Sequence, residues 1–177
     1  MTDYVALLRA VNVGGVRVAM ADLVSVADGL GWGEAETFVN SGNLLFTAAA
    51  PQDELVAALE GALLARYGRE VPVVLRDRAQ MRAIVGECPF TPVTGSHVHG
   101  FIPFGPLVPD QALAGSLRTG SEELAFTPSA AWLHAPDGVA RSALARRIEA
   151  VIGTRATGRN LNSLRKLADL LDARRGG

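Results

Sequence analysis

The chain has 177 residues, 49% of them hydrophobic and 20% charged, with a formal net charge of −1. That is enough apolar material for one substantial core or two small fused ones, and a balance so near neutral creates no global field for nucleic acid. Cys88 is the single cysteine, so an intrachain disulfide and a cysteine-rich zinc site are excluded, and a reducing, cytoplasmic setting is expected.

Tyr4 to Val13 reads as a strand, Ala21 to Leu30 as a helix, and Glu36 to Asn40 with Asn43 to Phe46 as a hairpin. Asp53 to Tyr67 follows as a helix with Leu55, Leu59, Leu63 and Tyr67 on one stripe and Gly68 as its stop. Val71 to Arg76 is the next strand, placed at an edge by Pro72, which lacks a donor. Asp77 caps a further helix that carries Met81, Ile84 and Val85 and ends before Pro89. Pro89 to Ser96 reads as a linker. The same order then recurs: His97 to Phe104 as a strand, Pro109 to Arg118 helical, Glu122 to Thr127 and Ala131 to Ala135 a second hairpin. Arg141 to Ile152 is helical, Thr154 to Gly158 a short strand, and Asn162 to Arg174 a closing helix. The expected fold class is α+β, two ferredoxin-like β-α-β-β-α-β halves from a diverged duplication plus a C-terminal helix. The halves divide as residues 1–88 and 97–177.

A right-handed strand-helix-strand crossover leaves its two strands parallel. With the third strand inserted between the first two, the loop at Gly14-Gly15 and the turn at Ser41-Gly42 become neighbours. Both sites suit plain turns, yet Asn12, Asn40 and Asn43 surround them with amide donors and acceptors. Arg9 shares a largely apolar strand face with Val5, Leu7 and Val11, so its guanidinium needs a partner or a wet cleft. Arg17, just beyond the glycines, could make a bidentate contact with an anion. Neither a Gly-x-Gly-x-x-Gly fingerprint nor a P-loop is present. Charge is uneven: residues 141–177 carry nine basic and three acidic groups, and residues 1–140 eight and fifteen.

At Leu7-Leu8-Arg9-Ala10-Val11-Asn12-Val13-Gly14-Gly15, Met20-Ala21-Asp22-Leu23, Ser41-Gly42-Asn43-Leu44-Leu45-Phe46 and Gly158-Arg159-Asn160-Leu161-Asn162-Ser163, the chain resembles the bacterial family known as domain of unknown function 1697. The likeness spans almost the whole length. It implies an α+β fold of two ferredoxin-like halves and no established activity. Ala10 stands where the family usually has Gly, and Leu161 where it has Trp, which removes a ring that could stack on a planar ligand. The recurrent polar residues of the pattern map onto Arg9, Asn12, Ser41, Asn43, Arg159, Asn160 and Asn162. The segment around Arg159-Asn160 is expected to fold back across the edge made by the first-half turns.

The leading functional expectation is a binding module for an anionic or nucleotide-like small molecule at that edge. Its residues are Arg9, Asn12, Gly14, Gly15, Arg17, Ser41, Gly42, Asn43, Arg159, Asn160 and Asn162. One alternative is an enzyme acting on a phosphate-containing substrate there, with Asp22 as the nearest carboxylate. Another is weak nucleic-acid binding through the basic C-terminal segment, against which stand only ten aromatic residues and the lack of an aromatic pair set among basic residues. His97, His99 and His134 lie on neighbouring predicted strands, but strand-edge histidines are most often wetted surface, and no metal or cofactor is expected. Ser41 lacks a Gly-x-Ser-x-Gly setting and an assignable base. Cys88 lacks the basic surroundings that would activate it. No apolar run nears the roughly 20 residues that span a bilayer, and the start lacks a basic n-region and a cleavage site, so neither membrane insertion nor export is expected.

Overall fold

The computed structural model describes residues 1–174. Packing divides the chain into two compact units, one of Met1–Met81 with the segment that begins at Leu167, the other of Arg82–Lys166. The boundaries therefore fall inside two helices, whereas the expected division gave the whole closing helix to the second half.

In the first unit, β1 (Thr2–Leu8), β2 (Gly33–Thr37), β3 (Asn43–Ala48) and β4 (Val73–Asp77) form an antiparallel sheet in the order β2-β3-β1-β4. With α1 (Met20–Gly29) and α2 (Gln52–Tyr67) in their places along the chain, this is the split β-α-β topology. Alternation of side chains sends Tyr4, Ala6 and Leu8 of β1 and Leu44 and Phe46 of β3 into one core. Leu23 and Ala27 of α1 and Leu55, Leu59 and Leu63 of α2 meet them there. Trp32 stacks on Phe46 with ring centres 4.0 Å apart. The opposite face is also closed to water, with Val5, Leu7 and Leu45 fully buried.

β1 is shorter than expected because the backbone turns left-handed at Ala10 (φ 56) and Asn12 (φ 57), which a strand cannot accommodate. β2 likewise stops at Thr37, ahead of Val39 (φ 51), and its register against β3 shifts between Gly33 and Glu36. Gly68 ends α2 with φ 65, its N–H donating to the Leu64 carbonyl at 2.8 Å. β4 lies at the edge of the sheet, directly after Pro72. Asp77 and Gln80 cap α3 (Arg78–Gly86) reciprocally: Gln80 N–H donates to Asp77 Oδ1 at 2.8 Å and Asp77 N–H to Gln80 Oε1 at 2.9 Å.

The second unit repeats the plan. β5 (Val98–Pro103), β6 (Glu123–Phe126), β7 (Ala131–His134) and β8 (Ala156–Asn160) form an antiparallel sheet in the order β6-β7-β5-β8. Its helices are α4 (Gln111–Leu117), α5 (Ala143–Arg146) and α6 (Ile148–Ile152). The single helix expected over Arg141–Ile152 is broken at Arg147, whose backbone (φ −116, ψ 21) leaves the helical region. Ser142 starts the first piece by accepting the Ala145 N–H at 3.1 Å, and Leu144, Ile148, Val151 and Ile152 still reach the core. Trp132 is fully buried beside Gly100, where a Cβ would come within 2.9 Å of its ring. Asn160 ends β8 and caps α7 (Leu161–Ala173), its Oδ1 accepting the Ser163 N–H at 2.8 Å.

Candidate functional site

The register of the first sheet pairs Leu7 with Asn43, and Leu8 N–H donates to the Gly42 carbonyl at 2.9 Å. The chain leaving β1 thus meets the chain entering β3. Gly42 sits at φ 76, and a Cβ there would lie 2.4 Å from a Val11 methyl and 2.9 Å from Leu8 Cβ. Only glycine lets the turn approach the loop this closely. Gly15 is as constrained, since its Cβ would fall 2.0 Å from the Ala10 carbonyl oxygen. Gly14 (φ 73) faces open space.

Asn12 organises the β1–α1 loop. Its Nδ2 donates to the Val18 carbonyl at 3.0 Å and the Asn40 carbonyl at 2.9 Å, and its Oδ1 accepts the Val18 N–H at 3.0 Å. Both amide hydrogens are engaged, so Asn12 is a brace between loop and turn and has none left to offer a ligand. Asn43 is fully buried and donates to the Phe38 carbonyl and to Ser41 Oγ, both at 2.9 Å. It shapes the turn from inside and is not within reach of solvent.

Between these segments opens a cleft of about 590 Å³, lined by Asn12, Gly14, Gly15, Arg17, Val18, Ala19, Met20 and Asn40. Arg17 is exposed. Ala19 is the N-cap of α1 and supplies no side-chain acceptor, so the first amides of that helix lack an internal side-chain cap. No acidic residue lines the cleft. Asp22, in the first turn of α1, is turned to α2: Arg66 Nη2 donates to its Oδ1 and the Tyr67 hydroxyl to its Oδ2 at 3.1 Å. The Arg66 hydrogen bond, more than any other contact, holds the Asp22 carboxyl below its usual range, against a smaller upward push from desolvation. A carboxylate so stabilised is a poor base.

Of the residues singled out from sequence, Asn12, Gly14, Gly15 and Arg17 line the cleft, while Ser41, Gly42 and Asn43 build the turn beside it. Arg9 is half-buried and outside the lining, and its backbone N–H donates to the Pro72 carbonyl at 2.8 Å. Arg159, Asn160 and Asn162 belong to the second unit. Arg159 is 7% exposed on β8 and donates to Thr157 Oγ1 and the Gly158 carbonyl, both at 2.8 Å. Burial lowers its pKa to about 10. Asn160 is the α7 cap, and the Asn162 amide packs on Gly95, where a Cβ would lie 2.1 Å from its Oδ1. Val18, Ala19 and Met20 also line the cleft although they were not singled out from sequence, and Asn40, noted there only as an amide beside the turn, lines it too. A readable signal was Ala19, a poor N-cap residue in front of an apolar helical run.

The histidines do not converge. His134 pairs with Val98 and His99 with Leu133, which puts His134 and His99 on opposite faces of the sheet. His134 Nδ1 lies 3.5 Å from Glu123 Oε1. Among the described residues no group of three or more His, Cys, Asp or Glu side chains could hold a metal ion. Nor, among them, is any helix long and apolar enough to cross a membrane. Cys88 is half-buried, its thiol 3.6 Å from the Phe90 carbonyl oxygen.

Among solved structures, the chain is similar to the conserved bacterial protein SP0830 from Streptococcus pneumoniae. The identity is 26% and the TM-score 0.76, covering 96% of this chain and 98% of that one. No curated protein matches it. A family model described as a protein of unknown function, DUF1697, matches residues 1–132, a span that holds the whole cleft, and the chain belongs to that family.

Proposed function

We propose that the protein is a binding module for an anionic or nucleotide-like small molecule, held in the cleft between the β1–α1 loop and the β2–β3 turn. One observation carries this reading: the cleft of about 590 Å³ offers an exposed guanidinium, a glycine loop and an uncapped helix start, and no acidic residue lines it. That volume is within the usual range for small-ligand sites, roughly 300–1,000 Å³. Arg17 supplies the charge, Gly14 and Gly15 let the ligand reach the backbone, and the Asn40 side chain adds a donor and an acceptor. Asn12 keeps loop and turn at the spacing the ligand needs.

The matching order of elements in the two halves offers a contrast that supports the reading. In the second half the corresponding helix α4 is capped by its own carboxylate, Asp110 Oδ1 accepting the Leu113 N–H at 2.9 Å. An enzyme acting on a phosphate-containing substrate at this edge has no such support, because Asp22 is engaged by Arg66 and Tyr67.

A thermal-shift series with inorganic phosphate, nucleoside monophosphates and sugar phosphates tests the proposal. A ligand at about 100 times its dissociation constant raises the midpoint by roughly 5 to 10 °C. The rise disappears in Arg17→Ala, an exposed substitution that leaves the unliganded midpoint unchanged. If no anion shifts the wild-type protein, the proposal is wrong.

A further inference from the structure

Asp22 is the third helical residue of α1, two positions beyond Met20, which lines the cleft. An acidic side chain at that position ordinarily turns back toward the first backbone amides of its own helix. Here both carboxylate oxygens are directed to the C-terminal end of α2, one to Arg66 and one to the Tyr67 hydroxyl. The Arg66 guanidinium also lies over the Tyr67 ring, 5.9 Å from its centre, so the two partners hold each other. The negative charge nearest in sequence to the cleft lining is thereby fixed on a neighbouring helix.

We infer that Arg66 and Tyr67 are positioning residues for the cleft: by holding the Asp22 carboxylate on α2, they stop it from competing with an anionic ligand. The inference rests on the proposed reading of the cleft as an anion site. The contact is exposed, with side chains 46% and 35% accessible for Arg66 and Asp22, and ion pairs of that kind are weak and screened by salt. A released carboxylate would swing to the α1 amides and occupy the place of the ligand's charge. Affinity therefore depends on a contact that the ligand itself does not touch.

A double-mutant cycle on the intact chain tests this, with inorganic phosphate as the probe and calorimetric titration at low ionic strength as the readout. Arg66→Ala is expected to weaken phosphate binding by roughly two- to fivefold. Asp22→Asn is expected to recover that loss in the Arg66→Ala background while changing wild-type affinity little. Tyr67→Phe removes one hydrogen bond without altering charge or packing, and should weaken binding in the same direction. If Asp22→Asn raises affinity by the same factor in both backgrounds, or if Arg66→Ala and Tyr67→Phe both bind as wild type, the carboxylate is only a fixed background charge and the inference is overturned. If wild-type protein binds no phosphate, the anion reading fails and this inference with it. An additive cycle on a wild type that binds defeats the inference alone.

Discussion

Ala10 holds a left-handed backbone (φ 56) although it carries a Cβ, a conformation that costs an L-residue about 1–2 kcal/mol relative to glycine's easy access to it. The Ala10→Gly substitution should therefore stabilise the protein. Part of the gain is offset by the greater freedom of glycine in the unfolded chain, leaving about 0.5–1 kcal/mol. Urea unfolding measures it, and a loss of stability would contradict the backbone geometry. The family resemblance, with its usual glycine at this position, implied only a mild departure, and the left-handed backbone shows why glycine suits the site better. What single residues did not disclose was where amides point. Asn12 and Asn43 were legible as polar groups at turns, but an asparagine suits a ligand contact and a turn brace equally well by composition. The difference lies in hydrogen bonds to Val18, Asn40 and Phe38, partners separated from them by 5 to 28 positions.

At the level of elements, the central strands β1, β3, β5 and β7 were legible because nearly every side chain in them is buried, whereas β2, which has no buried residue, starts at Gly33 and not at the expected Glu36. Register was not legible, and it decides the histidines. Along β5, His99 is half-buried with an Nδ1 that has no hydrogen-bond partner among the described residues, and desolvation lowers its pKa from 6.5 to about 4. The folded protein therefore keeps His99 neutral where the unfolded chain would take up a proton. Stability is fully present above pH 6.5, falls as pH drops toward 4, and loses no more to this group below that. The loss over that window is about 2–3 kcal/mol. Plots of stability against pH for wild type and His99→Leu between pH 7 and pH 4 should diverge, with the variant losing less because only the carboxylate contributions remain. Parallel slopes would mean that the imidazole is solvated. The break at Arg147 was equally hidden, since residues on either side keep a helical pattern and only the backbone angles interrupt it.

For the molecule as a whole, the order of elements was readable and the membership of the units was not. Leu164, Leu167 and Leu171 form one apolar stripe of α7, so nothing in the pattern marks a change at Leu167, where the chain joins the first unit. Beside the burial of Leu167, Ala168 and Leu171, a set of polar contacts fastens it there. Arg78 donates to Asp3 Oδ2 at 2.9 Å, to the Leu171 carbonyl at 3.0 Å and to the Arg174 carbonyl at 2.6 Å. Arg174 in turn donates to the Glu34 carbonyl and to Glu36 Oε1, both at 2.7 Å. Arg78→Ala removes the hub of this set and leaves Asp3, which is 9% exposed, without its cation. The expected loss is about 2–4 kcal/mol, read as a lower urea midpoint, and an unchanged midpoint would show the closing residues to be merely adjacent.

Because Arg78 binds residues so far along the chain, the first unit is discontinuous, and this bears on how the protein is made. A ribosome releases Met1–Met81 early, with every strand of the first sheet in hand, yet Leu171 and Arg174 emerge only after the whole second unit has been synthesised. Until then the Arg78 side chain has Asp3 but not the carbonyls of Leu171, in α7, and Arg174, just beyond it. Completion of the first unit thus waits for the synthesis of the second.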